Sequence, residues 1–286
     1  MSLNTQNHDR DQAGLTYLYP VVSRRSRGVS IGVNLNTNNA CNWRCVYCQV
    51  EGLVRGAAPA LNPGLLRKET NGFLDQVLNG DWMLENAPPE ARRLNDVAFS
   101  GNGEATTCPQ FLEAVEIVAD IMDARAMSEV KLVLITNGSM LHKENVQRAL
   151  TRMAKSGGEV WFKLDGGTEA DRLAINSLAI PDARVRENLL QCSTLIPTRI
   201  QTCMFARDGK VPSDEQVQAY LDFLGEQVEA QVSIQDVMLY GLARPSAQTE
   251  ASELGTLSDD WLKDMAVRIH ALGLPVTTYG ADGMLS

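Results

Sequence analysis

Short apolar runs and helical stripes alternate roughly six times along this chain, and no other feature restricts its fold as strongly. The runs are "GVSIGVNLN" (28–36), "DVAFSGNGE" (96–104), "KLVLITNG" (131–138), "EVWFKLDGG" (159–167), "TRIQTCMF" (198–205) and "VSIQDVMLY" (232–240), with "PVTTYG" (275–280) as a closing strand. Between them the spacing predicts helices. One is opened by Pro63 and runs to about Leu78. The next buries Phe111, Ala114, Val115, Val118, Ala119 and Met122, with Pro109 as its first helical position. A third carries Val146, Leu150 and Met153 on one face, and a fourth spans 182–193. Ser213 and Gln216 form a capping box before Val217, Tyr220, Leu221 and Leu224. The last helix starts at Ser258, turns Trp261, Leu262, Met265 and Ile269 inward and stops at Gly273. Such a series implies an α/β fold of parallel strands covered by helices, closed either as a doubly wound sheet or as a barrel. The runs end in "SGNGE", "TNG", "KLDGG" and "LYGLARP", and in both architectures that edge binds ligands.

A net charge of -9 argues against general electrostatic capture of nucleic acid, which needs many cationic contacts to phosphate. Arg24, Arg25 and Arg27, with Arg44 and Arg55, form either a solvated basic loop or the edge of an anion site. No apolar run approaches membrane-spanning length and the first dozen residues are polar, so the expected location is cytoplasmic, with no membrane partner. Residues 1–27 read as a partly flexible N-terminal extension and 28–286 as one domain. The chain holds 6 cysteines, read as reduced thiols for metal binding or catalysis rather than as a disulfide framework.

Cys41, Cys45 and Cys48 form C-x-x-x-C-x-x-C directly after the first run. A structural zinc site takes four ligands, usually as two spaced pairs, and no second pair exists here. Cys108, Cys192 and Cys203 stand alone, as do His8, His142 and His270. Three convergent thiolates suit a 4Fe-4S cluster that leaves one iron for another ligand, the mark of a reactive site.

This spacing, with aromatic Tyr47 just before the last cysteine, resembles the signature of the radical S-adenosylmethionine (SAM) superfamily. "SGNGEATTCP" looks like the glycine-rich segment that contacts SAM there, matched by Gly101, Asn102, Gly103 and Glu104, with Ala105 where relatives carry proline. The blocks "GVNLNTNNACNWRCVYCQV", "SGNGE", "LITNG", "VWFKLDGG" and "LYGLARPSA" together are similar to Fe-S oxidoreductases related to wyosine (tRNA imidazoguanosine) synthetases, although the second cysteine cluster of a wyosine synthetase proper is missing. The resemblance implies a partial (β/α)6 TIM-like barrel over 28–286. It also implies a 4Fe-4S cluster on Cys41, Cys45 and Cys48, and reductive cleavage of SAM to a 5'-deoxyadenosyl radical that takes hydrogen from a substrate. Tyr47 would border the adenine. The implied partners are SAM, an electron donor such as flavodoxin or ferredoxin, and a substrate that is either RNA or a small metabolite. The alternative class is a non-catalytic, metal-stabilised RNA-binding module that uses Arg24 and Arg27.

Further candidates carry two readings each. Thr136, Asn137 and Gly138 either contact SAM or cap the next helix. Lys163 and Asp165, charges in an apolar strand, either pair with each other or contact SAM or substrate. Gln201, and less strongly Gln235, are strand residues of the same kind. Arg244 either grips a substrate anion or makes a surface salt bridge. Cys203 shares a strand face with Gln201 and is either a radical relay or ligand, or a buried inert thiol. Lys163, Asp165 and Cys203 are the catalytic candidates.

Overall fold

A computed structural model describes residues 14–23, 28–280 and 283–285. Most of the expected N-terminal extension, with His8, Arg24, Arg25 and Arg27, therefore lies outside the described residues. The chain forms two compact units: Met1–Asn42 with Gly56–Thr136 and Lys143–Glu159, and Trp43–Arg55 with Asn137–His142 and Val160–Ser286.

The first unit is built on strands β1 (Leu18–Ser23), β2 (Gly28–Val33), β3 (Leu94–Phe99) and β4 (Lys131–Thr136). β1 lies antiparallel to β2, with Leu18 opposite Val33, while β2, β3 and β4 run parallel in that order. β2 is buried along its whole length, as expected of a mostly apolar run between two neighbours, and its one polar side chain, Ser30, donates to Asp96. Gly32 is required there, because a Cβ would sit 2.1 Å from the ring of Tyr19, whose hydroxyl meets Ser100 Oγ at 2.8 Å. The helices are α1 (Pro63–Asn79), α2 (Trp82–Asn86), α3 (Phe111–Ala124) and α4 (Glu144–Lys155). α1 starts as expected, with Pro63 in its first turn and the Asn62 side chain accepting from Leu65 N–H. α3 buries the expected stripe, and its Phe111 packs edge-on against Phe99 of β3 at 5.6 Å between centroids. Pro109 does not open α3. The helix begins two residues later, after a 3-10 turn over Ala105–Thr107 that the Glu104 side chain caps.

Gly72 lies on the exposed side of α1, where an added Cβ would meet nothing within 4 Å. Gly72→Ala should therefore stabilise the protein by about 0.5–1 kcal/mol, since alanine loses less backbone entropy in a helix interior. An upward shift of the urea midpoint at constant m-value checks this; a downward shift refutes it.

The second unit carries β5 (Glu159–Lys163), β6 (Thr198–Met204), β7 (Ile234–Gly241) and β8 (Val276–Tyr279), parallel neighbours in that order. Its helices are α5 (Glu169–Asn176), α6 (Asp182–Leu195), α7 (Asp214–Glu229) and α8 (Asp259–His270). The Ser213–Gln216 capping box forms, and Ser258 caps α8. Thr202 of β6 donates to Leu164 O at 2.8 Å and meets Tyr220 Oη of α7 at 2.6 Å, so that face of the strand looks toward a helix. Gln201 and Cys203 therefore lie on the other face. The register pairs Lys163 with Gln201 and Tyr240 with Cys203, which puts all four on one face. Gln235, by contrast, is exposed.

Candidate active site

In the first unit the β3-end turn is held by asparagines. Asn34 Oδ1 accepts N–H groups from Asn36 and Asn102, both at 3.1 Å, and Asn102 Nδ2 donates to Asn39 Oδ1 at 2.6 Å. Gly101 is dictated by its φ of +143° and by the Asn34 side chain packed against it, and Gly103 by close backbone approach, since a Cβ there would sit 2.0 Å from Ala40 O. Glu104 is buried. Its Oε1 accepts from Thr106 N–H at 3.2 Å and from Thr136 Oγ1 at 2.7 Å. Gly101, Asn102, Gly103, Glu104 and Thr136 are thus brought together, and the same Asn34–Ala40 run leads into Cys41. Cys41 is half-buried, and its carbonyl accepts Gly56 N–H at 3.0 Å.

Cys45, Cys48 and Tyr47 belong to the second unit, where their loop is gripped from two sides. Arg44 N–H and Val46 N–H donate to the carbonyls of Asn176 and Ile175, at 3.2 and 2.8 Å, at the C-terminal end of α5. These acceptors are the orphan carbonyls that any helix end leaves over. On the other side Ser246 Oγ donates to Val46 O at 2.7 Å, Ala247 N–H to Cys48 O at 2.9 Å, and Gln248 Nε2 to Val50 O at 3.1 Å. Glu250 closes a bidentate pair with Arg44.

Asp165 is the centre of the buried polar groups. Its Oδ1 accepts Cys203 N–H at 3.0 Å and lies 3.5 Å from Lys163 Nζ, while its Oδ2 accepts from Asn176 Nδ2 at 3.1 Å and from the Tyr47 hydroxyl. Lys163 donates to Tyr240 Oη at 2.8 Å and lies over the rings of Tyr47 and Tyr240, 5.2 and 5.4 Å from their centroids. The mutual pairing expected of Lys163 and Asp165 is present. Burial alone would push the Lys163 pKa down, but Asp165 and then Tyr240 outweigh it, and the net direction is up. Burial raises Tyr47, with Asp165 adding to it. Burial, then Asp165, pushes the Cys45 thiol up to about 12, with Lys163 and a hydrogen bond from Asn176 opposing. A thiol held neutral in this way becomes a thiolate when a metal cation takes the place of its proton.

Asn137 Oδ1 accepts from Ser139 N–H at 3.0 Å and Ser139 Oγ at 2.7 Å. It caps its own turn rather than α4, whose N-cap is Lys143. Gly138, at φ +74°, lets Phe162 pack where a Cβ would stand 2.3 Å from the ring. Gln201 is buried, and its Nε2 lacks a hydrogen-bond partner among the described residues. Arg244 is half-buried just after β7. Cys203 is buried against Val46 and Phe205. Two cavities of about 330 Å³ each adjoin Asp165. One is lined by Trp43, Asn137, Lys163, Arg172 and Asn176; the other by Cys203, Phe205, Arg207 and Lys210.

Asn176, Tyr240, Ser246, Gln248 and Glu250 escape a reading of the sequence alone. Only α5 advertises itself locally, through the Thr168–Asp171 capping box.

The residues fit the implied cofactors by their chemistry. Three thiols on one loop are the donor set of a cluster with an open iron, and the orphan amide of Gln201 calls for an acceptor such as a ligand carboxylate. Among the described residues no three His, Cys, Asp or Glu side chains form a ready-made metal group. The fit therefore lies in the donor set and its loop.

No family model matches the chain. A UPF0026 protein of Helicobacter pylori is 30% identical over 133 residues, which is 46% of this chain and 37% of that protein, so the chain spans little more than a third of that relative's length. Among solved structures, a radical SAM methyltransferase from Sphaerobacter thermophilus superposes with a TM-score of 0.59 at 17% identity, covering 88% of this chain and 66% of that one. The structure of TYW1 with a lysine-pyruvate adduct bound gives a TM-score of 0.50 at 13% identity, covering 90% and 78%. Radical SAM enzymes are thus the structural neighbours of this chain, and it is built on their fold. The expected α/β class, a partial TIM-like barrel of mostly parallel strands, is that fold. Among the described residues no helix is long and apolar enough to cross a membrane.

The Arg44–Glu250 pair carries a pH signature. Its hydrogen bond from Arg44 lowers Glu250 from 4.5 to about 2. A depressed carboxylate stabilises the fold fully above its unfolded pKa, and that contribution fades as pH falls from about 4.5 toward 2. Glu250→Gln should flatten this part of a stability–pH profile measured by urea unfolding. An unchanged acid limb would contradict the assignment.

Proposed function

We propose that the chain is a radical SAM enzyme. The observation that carries this reading is the three-cysteine loop leaving β2, the first of the parallel strands, in a chain with that fold. Cys41, Cys45 and Cys48 would hold a 4Fe-4S cluster that leaves one iron for SAM. When bound, the cluster supplies the electron that cleaves SAM, and the resulting 5'-deoxyadenosyl radical takes a hydrogen atom from a substrate that is an RNA base or a small metabolite.

The chain's own residues bind and orient. By the resemblance, Tyr47, Gly101, Asn102, Gly103, Glu104, Thr136, Asn137, Lys163 and Gln201 are assigned to SAM. The two glycines let the turn pack against Asn34 and Ala40. Gln201 Nε2 and the Lys163 ammonium supply donors from one sheet face. Asp165 keeps that ammonium charged and holds the Tyr47 hydroxyl in place. Cys203, beside Asp165, remains the candidate for hydrogen-atom exchange with substrate, and a low-potential donor such as flavodoxin or ferredoxin in the cytoplasm is the reductant.

Anaerobic reconstitution tests the reading. The expected result is about four iron and four sulfide per chain, as a 4Fe-4S cluster requires, absorbance near 400 nm, and release of 5'-deoxyadenosine with dithionite and SAM. A colourless protein that binds zinc and leaves SAM intact would refute it and favour the RNA-binding module.

A further inference from the structure

α5 ends on the cysteine loop in a way that packing alone does not require. Its last two carbonyls, Ile175 O and Asn176 O, take the N–H groups on either side of Cys45. From the same final turn the Asn176 side chain points back at Cys45 itself, and its Nδ2 donates to Sγ at 3.2 Å. The second Nδ2 hydrogen goes to Asp165 Oδ2 at 3.1 Å. This arrangement fixes the amide orientation. Rotating the group by half a turn would set Oδ1 against the Asp165 carboxylate, which has no proton to donate when ionised. Asn176 is completely buried, and α5 buries it together with Arg172 rather than an apolar stripe. Burying two polar side chains is costly unless each is used. Arg172 is used structurally, donating to Gly166 O and Ile180 O and pairing with Asp182. The polar contacts of the Asn176 amide nitrogen are the sulfur and the carboxylate that braces it.

We infer that Asn176 is a positioning residue for Cys45 that sets the reduction potential of the group bound there; this rests on the functional reading above. An N–H donor at a cluster sulfur favours the reduced, more negative state and so raises the potential, and hydrogen bonds to sulfur are among the protein's main levers on it. The Asp165 carboxylate orients the amide, so Asp165, Asn176 and Cys45 act in series. The main-chain bonds from Arg44 and Val46 do not depend on the Asn176 side chain, so they hold the loop when that side chain is replaced.

The test is an EPR-monitored redox titration of the reconstituted full chain without SAM, on wild type, Asn176→Ala and the near-isosteric Asn176→Leu. The expected result is unchanged iron and sulfide content with a more negative midpoint in both variants. In wild-type protein labelled with 15N-asparagine, pulsed EPR should show a 15N coupling to the reduced cluster, which needs no variant to fold. Unchanged midpoints with an intact cluster, or no 15N coupling, would overturn the inference while leaving the enzyme reading in place. A wild-type chain that takes up neither iron nor sulfide would overturn both.

Discussion

Alanine at any one of Cys41, Cys45 or Cys48 should reduce both cluster content and 5'-deoxyadenosine release to the level of the cluster-free protein. The reasoning starts from the donor set. A cluster with one open iron has three protein thiolates to hold it, so losing one removes a third of its attachment and exposes a second iron. The fold should survive the change. The loop is held by main-chain groups, with Arg44 N–H and Val46 N–H on the end of α5 and Cys48 O receiving Ala247 N–H, and none of these bonds uses a thiol. Circular dichroism and urea midpoints of the three variants should therefore stay near wild type while iron, sulfide and SAM cleavage disappear. The internal control is the other set of cysteines. Cys108, Cys192 and Cys203 are all buried, and Cys192 takes a hydrogen bond from Thr198 Oγ1 at 3.4 Å, the environment of a small packing residue. Cys108→Ala and Cys192→Ala should keep the cluster and lose only the packing, on the order of 1 kcal/mol for small core truncations. A wild-type rate of SAM cleavage in any of the three loop variants would defeat the assignment, and loss of the cluster in Cys108→Ala would show that the thiol inventory is wrong.

The parts of this architecture visible in the sequence are those that one physical pattern specifies locally. α3 and α4 are legible because Phe111, Ala114, Val115 and Val118, and Val146, Leu150 and Met153, repeat at helical spacing and are buried where they repeat. The strand ends are legible because glycine and short polar residues mark where a ligand or another backbone comes close, as Gly103 does against Ala40 O. α5 breaks that rule. Its buried residues are Arg172 and Asn176, so an apolar periodicity search finds nothing, and only the Thr168–Asp171 box betrays a helix start. β1 is hidden for another reason. Pro20 within Leu18–Ser23 argues against a central strand, yet β1 pairs antiparallel with β2, a position that tolerates proline where no ladder donor is needed. The partners that converge on Asp165 come from residues 47, 163, 176 and 203, and their meeting is a product of tertiary folding that no local window contains. Lys163 and Asp165 are conspicuous in the sequence as charges in an apolar strand, but which groups satisfy them is not.

That convergence predicts an asymmetry between the two halves of the buried ion pair. Lys163→Met leaves Asp165 with the Tyr47 hydroxyl, the Asn176 amide and the Cys203 N–H, three neutral donors that solvate the carboxylate in place. Its cost should be near that of one charged hydrogen bond, about 1.5–3 kcal/mol. Asp165→Leu does something different. It leaves the half-buried Lys163 ammonium with Tyr240 as its hydrogen-bond partner, and it orphans donors on Tyr47, Asn176 and the Cys203 main chain at once. Removing one partner of a buried pair costs about 3–5 kcal/mol by itself, and orphaned donors add to that, about 1–3 kcal/mol for each one that finds no water. The expected order in urea unfolding is therefore Asp165→Leu well below Lys163→Met. The double variant should recover part of the Asp165→Leu loss, because the uncompensated charge is gone while the orphaned donors remain. Equal losses from the two single changes, or full additivity in the double variant, would mean that Lys163 and Asp165 are solvated independently and that Asp165 does not organise the groups around Cys45.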